Sequence, residues 1–140
     1  MGALTFLAEP AGAALGESAS AVSLESVRLQ AGLKVETGAR FSIHELQTPA
    51  QTTIREFAAP SGIVFAVAWH GPFKPDLRAL LGRYFDVYAH APRSADSTRS
   101  RMAIDQRDLV VRAGGHMRAY SGLAYVPALL PPGVTAGDLQ

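Results

Sequence analysis

The most regular hydrophobic pattern in the chain is the run from Ile63 to Trp69, in which every residue is apolar. Larger side chains occupy alternate positions, Ile63, Phe65, Val67 and Trp69, with the smaller Val64, Ala66 and Ala68 between them. A strand that is apolar on both faces normally lies at the centre of its sheet and is covered on both sides. We therefore expect a central strand here, with a helix packed over its alanine face.

A second pattern follows the turn sequence His70–Pro75 and has helical periodicity. Apolar residues recur with helical spacing at Leu77, Leu80, Leu81, Tyr84, Phe85 and Tyr88. This spacing places them on one face of a helix. The sequence therefore predicts one long helix that packs back on the central strand.

The residues before the central strand indicate an antiparallel meander. Phe41–Gln47 alternates between apolar and polar residues, Thr48–Gln51 has turn composition, and Thr52–Ala58 reads as the returning strand. Pro60-Ser-Gly62 then turns the chain into the central strand.

After the helix, we expect a loop and then a second hairpin. Pro92–Arg101 has no large apolar residue and is typical of a solvated loop. Leu109–Ala113 and His116–Tyr120 flank Gly114-Gly115, a favourable pair for a two-residue turn because both central residues need positive φ. Gly122 indicates a bulge or bend before a last strand, Leu123–Val126.

The N-terminal third is less regular. Ser18–Gln30 has sparse helical spacing and ends near Gly32, which predicts a shorter helix. Before it, a short apolar run precedes Ala11-Gly-Ala13, a small-x-small pattern like that of signal-peptidase sites. Residues 1–13 are therefore either an export-signal remnant or a disordered terminus, and 14–140 form a single globular domain.

Together these elements predict an α+β fold. We expect an antiparallel sheet of five to six strands, with one long helix packed on it and a shorter N-terminal helix. The length of 140 residues and the 48% hydrophobic content suit one domain with its own core.

Charge and composition narrow the function classes. The net charge is +1, which gives no reason to propose a nucleic acid or an anionic membrane as partner. Cysteine is absent, so disulfides and thiolate chemistry are excluded, and no apolar run has the length of a membrane span. Three arginines in the loop, Arg93, Arg99 and Arg101, could form a basic patch. A solvated linker is the favoured interpretation, because no aromatic residue is interleaved with them.

No local motif indicates catalysis or a cofactor. The four histidines have no metal-ligand spacing, since His44-Glu45 lacks a second histidine at the position of Thr48. Pro60-Ser-Gly62 lacks the flanking pattern of a nucleophile elbow. We therefore predict neither a metal site nor a cofactor, although a Ser–His–acid site assembled from distant residues stays open.

The most suggestive candidate for a ligand or partner contact is the end of the central strand. Its residues are Trp69 and His70, with Asp76 and Arg78 from the helix start and His116, Arg118 and Tyr120 from the second hairpin. We expect His70 on the alanine face beneath the helix, and the three hairpin residues on one shared face. A few convergent polar groups around an aromatic residue are typical of small-ligand sites. The alternative is a hydrogen-bond network that fixes the turn, with Trp69 serving only packing.

Several short motifs spread along the chain resemble one protein family. The motifs are Ala14–Gly16, His44-Glu45, Arg55–Phe57, Ser61-Gly62, Phe65–Trp69, Gly71-Pro72, Asp76–Gly82, Tyr84-Phe85, Asp108–Arg112, Gly114–Gly122 and Leu129–Pro131. The chain from Ala14 to Gln140 resembles a family of small exported bacterial proteins known as a domain of unknown function. The resemblance implies export, with a mature chain that begins near Ala14. It implies no activity, ligand or catalytic residue.

The expected function is that of an exported, non-catalytic domain that binds a protein or a small ligand. The alternative is a small hydrolase with a dispersed Ser/His/acid site. Export places the protein in the periplasm or outside the cell, and a genuine N-terminus at Met1 would instead place it in the cytoplasm. The sequence leaves the partner and the oligomeric state open.

Overall fold

A computed structural model describes residues 14–18, 32–48 and 50–139. Within them, seven strands form one antiparallel sheet. The strands are β1 (Gly32–Thr37), β2 (Ser42–Gln47), β3 (Thr53–Ala58), β4 (Val64–Gly71), β5 (Arg101–Asp105), β6 (Val110–His116) and β7 (Ala119–Tyr125). Their order across the sheet is β1-β2-β3-β4-β7-β6-β5. The predicted export-signal remnant and, apart from Ser18, the predicted N-terminal helix lie outside the described residues.

The predicted meander and central strand are confirmed. Strands β2, β3 and β4 are successive antiparallel neighbours, and β4 lies in the middle of the sheet between β3 and β7. The second hairpin, β6–β7, therefore pairs directly beside the central strand.

The predicted fold class is wrong in its number of strands. The sheet has seven strands rather than five or six: β1 and β5 were not predicted, and the predicted strands His116–Tyr120 and Leu123–Val126 both overlap the single strand β7. The two unpredicted strands are short edge strands, and β1 carries exposed charged residues at alternate positions. Strand β5 begins at Arg101, inside the segment that its polar composition assigned to a loop. Edge strands need only one buried face or none, so their hydrophobic signal is weak.

The prediction of one long helix is also wrong. The helical segment 77–90 has 14 residues and is divided into three pieces. Helix α1 (Leu77–Leu81) and helix α2 (Phe85–His90) are joined by a 3-10 turn, Gly82–Tyr84. Gly82 has φ +52°, and a Cβ there would lie 2.6 Å from the Ala14 side chain. The close passage of the Ala14 segment therefore requires glycine, and the helix is interrupted at that point.

The helix packs on the opposite face of β4 from the one predicted. Leu80 and Leu81 belong to the same core cluster as Val67 and Trp69, and we call this side the helix face. Ala66 and Ala68 point to the other side, the open face. A register shift opposite β3 turns Phe65 to the open face, where its ring lies 6.4 Å from that of Phe57. The bulge thus breaks the large-small alternation that the sequence analysis extended along the whole strand.

A C-terminal segment covers part of the open face. It includes two 3-10 turns, Pro127–Leu129 and Ala136–Leu139, and buries Val134 and Leu139 against the Phe57–Phe65 cluster. The rest of the open face is left as a groove between this segment and β5.

The second hairpin turns three residues later than the predicted Gly114-Gly115. Its loop is Met117-Arg118, with Arg118 at φ +67°, and Gly114 and Gly115 lie within β6. A Cβ at Gly114 would lie 3.0 Å from the Ser100 carbonyl oxygen, so close approach of β5 accounts for that glycine.

Candidate functional site

The end of β4 packs its only tryptophan against a glycine on the neighbouring strand. Trp69 lies on the helix face, is 5% exposed and is paired with Gly122 of β7. A Cβ on Gly122 would overlap the indole ring. The glycine therefore lets the ring lie flat on the sheet, and no bulge is present at the position where one was predicted.

A pocket of about 240 Å³ opens beside this ring, between the start of α1 and the ends of β5, β6 and β7. We call it the basic pocket. Its aromatic lining consists of Trp69, Tyr88 and Tyr120. Its cationic lining consists of Lys74, Arg93, Arg99 and Arg101. The three arginines come from the loop after α2 and the start of β5, whereas the aromatic residues come from β4, α2 and β7.

The charged side chains that line the basic pocket are all cationic. None of its described lining residues is acidic, and none of its four cations forms an ion pair within the described part of the chain. The Lys74 Nζ lies 5.3 Å from the centre of the Tyr120 ring, a cation–π contact that leaves the ammonium able to donate to a ligand. The pocket can therefore hold an anionic group without first displacing a carboxylate.

A larger, open groove of about 1130 Å³ lies on the open face. Its floor is made mainly of small or neutral side chains such as Ala68, Ser121 and Leu123. Its arginines are partly neutralised: Arg112 Nη2 lies 2.6 Å from Asp105 Oδ1, and Arg55 Nε lies 3.7 Å from Glu45 Oε2. The groove is thus less basic than the pocket, although Arg101 and Trp69 line both.

The structure brings two of the seven predicted contact residues together. Trp69 and Tyr120 both line the basic pocket. His70 is exposed on the open face beside Ala68, where it lines the groove instead. Its expected position beneath the helix is therefore wrong.

The other four predicted residues lie apart from the pocket. Asp76 caps α1, with its Oδ1 accepting hydrogen bonds from the backbone N–H groups of Arg78 (3.0 Å) and Ala79 (3.3 Å). The Arg78 guanidinium stacks 4.4 Å from the centre of the Phe85 ring. His116 is exposed at the end of β6, and Arg118 is exposed in the hairpin turn. The strand register puts His116 and Tyr120 on opposite faces, contrary to expectation.

Sequence reasoning missed most of the cationic lining. Arg93, Arg99 and Arg101 were assigned to a solvated linker because no aromatic residue stood among them in sequence. In the fold, the aromatic residues beside them come from β4, α2 and β7. The usable signal was the cluster of arginines without nearby acidic partners, apart from Asp96.

A buried polar cluster lies beneath the Ala14–Ser18 segment on the helix face. Glu56 is 2% exposed, and burial, reinforced by the charge of Glu17, raises its pKa to about 8. Across the strand pair lies His44, whose Nε2 is 3.3 Å from the Ser42 hydroxyl. Burial lowers the pKa of His44, and within the described residues its Nδ1 has no hydrogen-bond partner. That part of the chain therefore does not provide the bond from histidine to carboxylate that a Ser–His–acid relay requires.

The described residues contain no cluster of three or more side chains that could hold a metal ion. Nor do they contain a helix with the length and apolar composition needed to cross a bilayer.

Comparison with known proteins identifies a family without an assigned activity. The model of the family described as "Protein of unknown function (DUF2844)" matches residues 11–139. No curated protein and no solved structure matches the chain. Since the match spans nearly the whole length, the chain belongs to the DUF2844 family.

Proposed function

We propose that this protein is an exported, non-catalytic binding module whose basic pocket holds a small organic anion. The observation that carries the proposal is the composition of the pocket: three aromatic side chains and four cationic ones, with no acidic lining residue among those described. Convergent polar groups in an aromatic cavity are the usual makeup of a small-ligand site.

Charge favours an anion as the ligand. Arginine and lysine donate charge-assisted hydrogen bonds to carboxylate and phosphate, and these are stronger than neutral hydrogen bonds. Arg93, Arg99 and Arg101 have no carboxylate partner in the described residues, so binding an anion does not require an existing ion pair to break.

Size and lining favour a small ligand with a flat or apolar body. The volume of about 240 Å³ is below the range typical of drug-sized ligands. The rings of Tyr88 and Tyr120 offer apolar area for the body while the cations hold the charged group. A carboxylate and a phosphate monoester share this chemistry, and the test compares them.

The alternative, a small hydrolase, has one supporting contact. The Ser42 hydroxyl lies near His44 Nε2, but no carboxylate among the described residues is hydrogen-bonded to the histidine. A binding module needs no such relay, so we favour binding over hydrolysis.

Export is supported by the small-x-small pattern at Ala11-Gly-Ala13 and by the resemblance of the chain to exported proteins. Fractionation of the native cells, followed by N-terminal sequencing, tests it. A periplasmic or secreted chain that begins at Ala14 supports export, and a cytoplasmic chain that retains Met1 contradicts it.

Binding can be followed by the intrinsic fluorescence of Trp69, because the chain has one tryptophan and it lines the pocket. We expect benzoate or phenyl phosphate to change the emission saturably, and neutral benzyl alcohol to have little effect. Loss of one charge-assisted hydrogen bond in Arg99→Gln or Arg101→Gln should weaken binding about tenfold. The matched control is Arg107→Gln, an exposed arginine that lines neither cavity.

The outcomes separate cleanly. Saturable binding of either anion, weakened by the pocket variants and unchanged in Arg107→Gln, supports the proposal. Equal binding of benzyl alcohol, or equal effects of all three variants, contradicts it. A preference between the two anions then identifies the charged group.

A further inference from the structure

The two edges of the sheet differ in whether another part of the chain covers them. The outer edge of β5 is covered by its own preceding loop: Ser94 N–H donates to the Ala103 carbonyl (2.8 Å), and Thr98 N–H donates to the Arg101 carbonyl (2.7 Å). Within the described residues, the outer edge of β1 has no such covering strand or loop. An uncovered edge presents backbone donors and acceptors to another strand.

The side chains of β1 alternate between charge and an exposed apolar group. Lys34 and Glu36 point to one face, where they form an exposed ion pair of 3.0 Å. Val35 points to the other face and is 49% exposed. Lysine on an edge usually discourages pairing with other strands, but the glutamate two residues away supplies a complementary charge.

This pattern is complementary to itself in one antiparallel register. When two copies of β1 pair around a two-fold axis at Val35, the two valines lie opposite each other, and Lys34 of each copy lies opposite Glu36 of the other. An axis at Lys34 would oppose the two lysines, and an axis at Glu36 would oppose the two glutamates. Directly opposed like charges destabilise a strand pair, whereas opposite charges stabilise it.

We infer that β1 is a self-association surface, which pairs antiparallel with β1 of a second copy of this chain in the register centred on Val35. The two sheets then become continuous across the two-fold axis. Such an isologous contact closes on itself and gives a dimer rather than a fibre. A single strand pair is a small interface, so the dimer is weak and reversible. The inference is independent of the basic pocket, which lies towards the opposite edge of the sheet, at the ends of β5, β6 and β7.

The test is sedimentation equilibrium of the full chain, at concentrations from about 1 μM to about 1 mM, the range in which weak association is measured. We expect a reversible monomer–dimer equilibrium. Lys34→Glu opposes two pairs of glutamates and should weaken the dimer about tenfold or more, and Glu36→Lys should do the same with lysines. The double exchange, Lys34→Glu with Glu36→Lys, restores opposite charges and should recover the wild-type constant within about threefold.

Arg107→Glu is the matched control, because it also reverses an exposed charge but lies in the turn before β6. Circular dichroism of each variant checks that the monomer is folded, which we expect because the exposed Lys34–Glu36 pair contributes little to stability. Recovery of dimerisation in the double exchange supports the inference. A wild-type chain that stays monomeric up to about 1 mM overturns it, as does single-variant dimerisation equal to wild type, or a double exchange as weak as the singles.

Discussion

The Trp69 indole lies flat against Gly122, its directly opposed partner on β7. The contact fixes the ring at the point where the helix face, the second hairpin and the basic pocket meet. One glycine thus determines both the packing of the strand end and the shape of the pocket wall.

Gly122→Ala should therefore destabilise the fold. The added methyl group overlaps the indole ring, and overpacking of this kind costs about 1–3 kcal/mol. Chemical denaturation measures the loss. Gly137→Ala is the control, since its methyl group would meet only Thr135 Oγ1 at 3.6 Å, an ordinary contact. Equal stability of the Gly122 variant and wild type would mean that the ring does not occupy this position.

Substitution of a buried helix residue should also destabilise the fold. Leu81 is fully buried in the cluster that contains Val67 and Trp69, so Leu81→Ala should cost roughly 2–5 kcal/mol. Phe73→Ala, at an exposed aromatic residue, should change stability by less than about 0.5 kcal/mol. If urea titration gives similar small losses for both, the packing of α1 described above is incorrect.

Much of this core follows from the sequence, because large apolar residues at regular spacing leave few alternatives. The central position of β4 and the β2–β3–β4 meander were predicted from such spacing. The face covered by the helix was not, because the bulge that turns Phe65 away from Val67 has no signature in the apolar run. Gly82 likewise breaks the helix through contact with Ala14, a residue distant in sequence.

The candidate site was less predictable than the core. Trp69 and Tyr120 were identified from their position near a strand end, and they do line one pocket. The arginines of the loop were set aside, because their aromatic neighbours are close only in the folded chain. His70 lies on the alanine face, as predicted, but the helix covers the opposite face of β4, so its expected place beneath the helix was wrong.

Asp76 offers a way to separate stability from binding. Its carboxylate caps α1 and lines neither cavity, so Asp76→Ala should cost about 0.5–2 kcal/mol of stability through loss of the cap. The affinity of the folded variant for phenyl phosphate should stay at the wild-type value. Asp86→Ala is the control, because Asp86 is exposed and its side chain makes no hydrogen bond within the described residues. A large loss of affinity in Asp76→Ala would place this carboxylate in the site after all.

The buried Glu56 should make stability depend on pH. Its pKa is about 8 in the folded chain against an ordinary value of 4.5, so the folded state retains a proton that the unfolded state releases. Its contribution is therefore fully present below pH 4.5 and is lost as the pH rises to about 8, at up to roughly 1.4 kcal/mol per pH unit.

Glu56→Gln removes this titration while keeping a similar shape. The stability difference between variant and wild type should thus shift in favour of the variant as the pH rises through this window. Comparing the two chains at each pH cancels the opposite effect of His44, whose lowered pKa reduces stability as the pH falls. Parallel pH profiles for the two proteins would show that Glu56 is not buried in its neutral form.

The most direct test of the binding proposal is a ¹H–¹⁵N NMR titration of the wild-type chain with phenyl phosphate. We predict saturable shifts of the Trp69 indole N–H and of the backbone amides of Arg99, Arg101 and Tyr120, which surround the basic pocket. Amides on β2 and β3, away from the pocket, should stay unchanged. Absence of shifts at millimolar ligand, or shifts confined to the open groove around Arg55 and Arg112, would contradict the proposal.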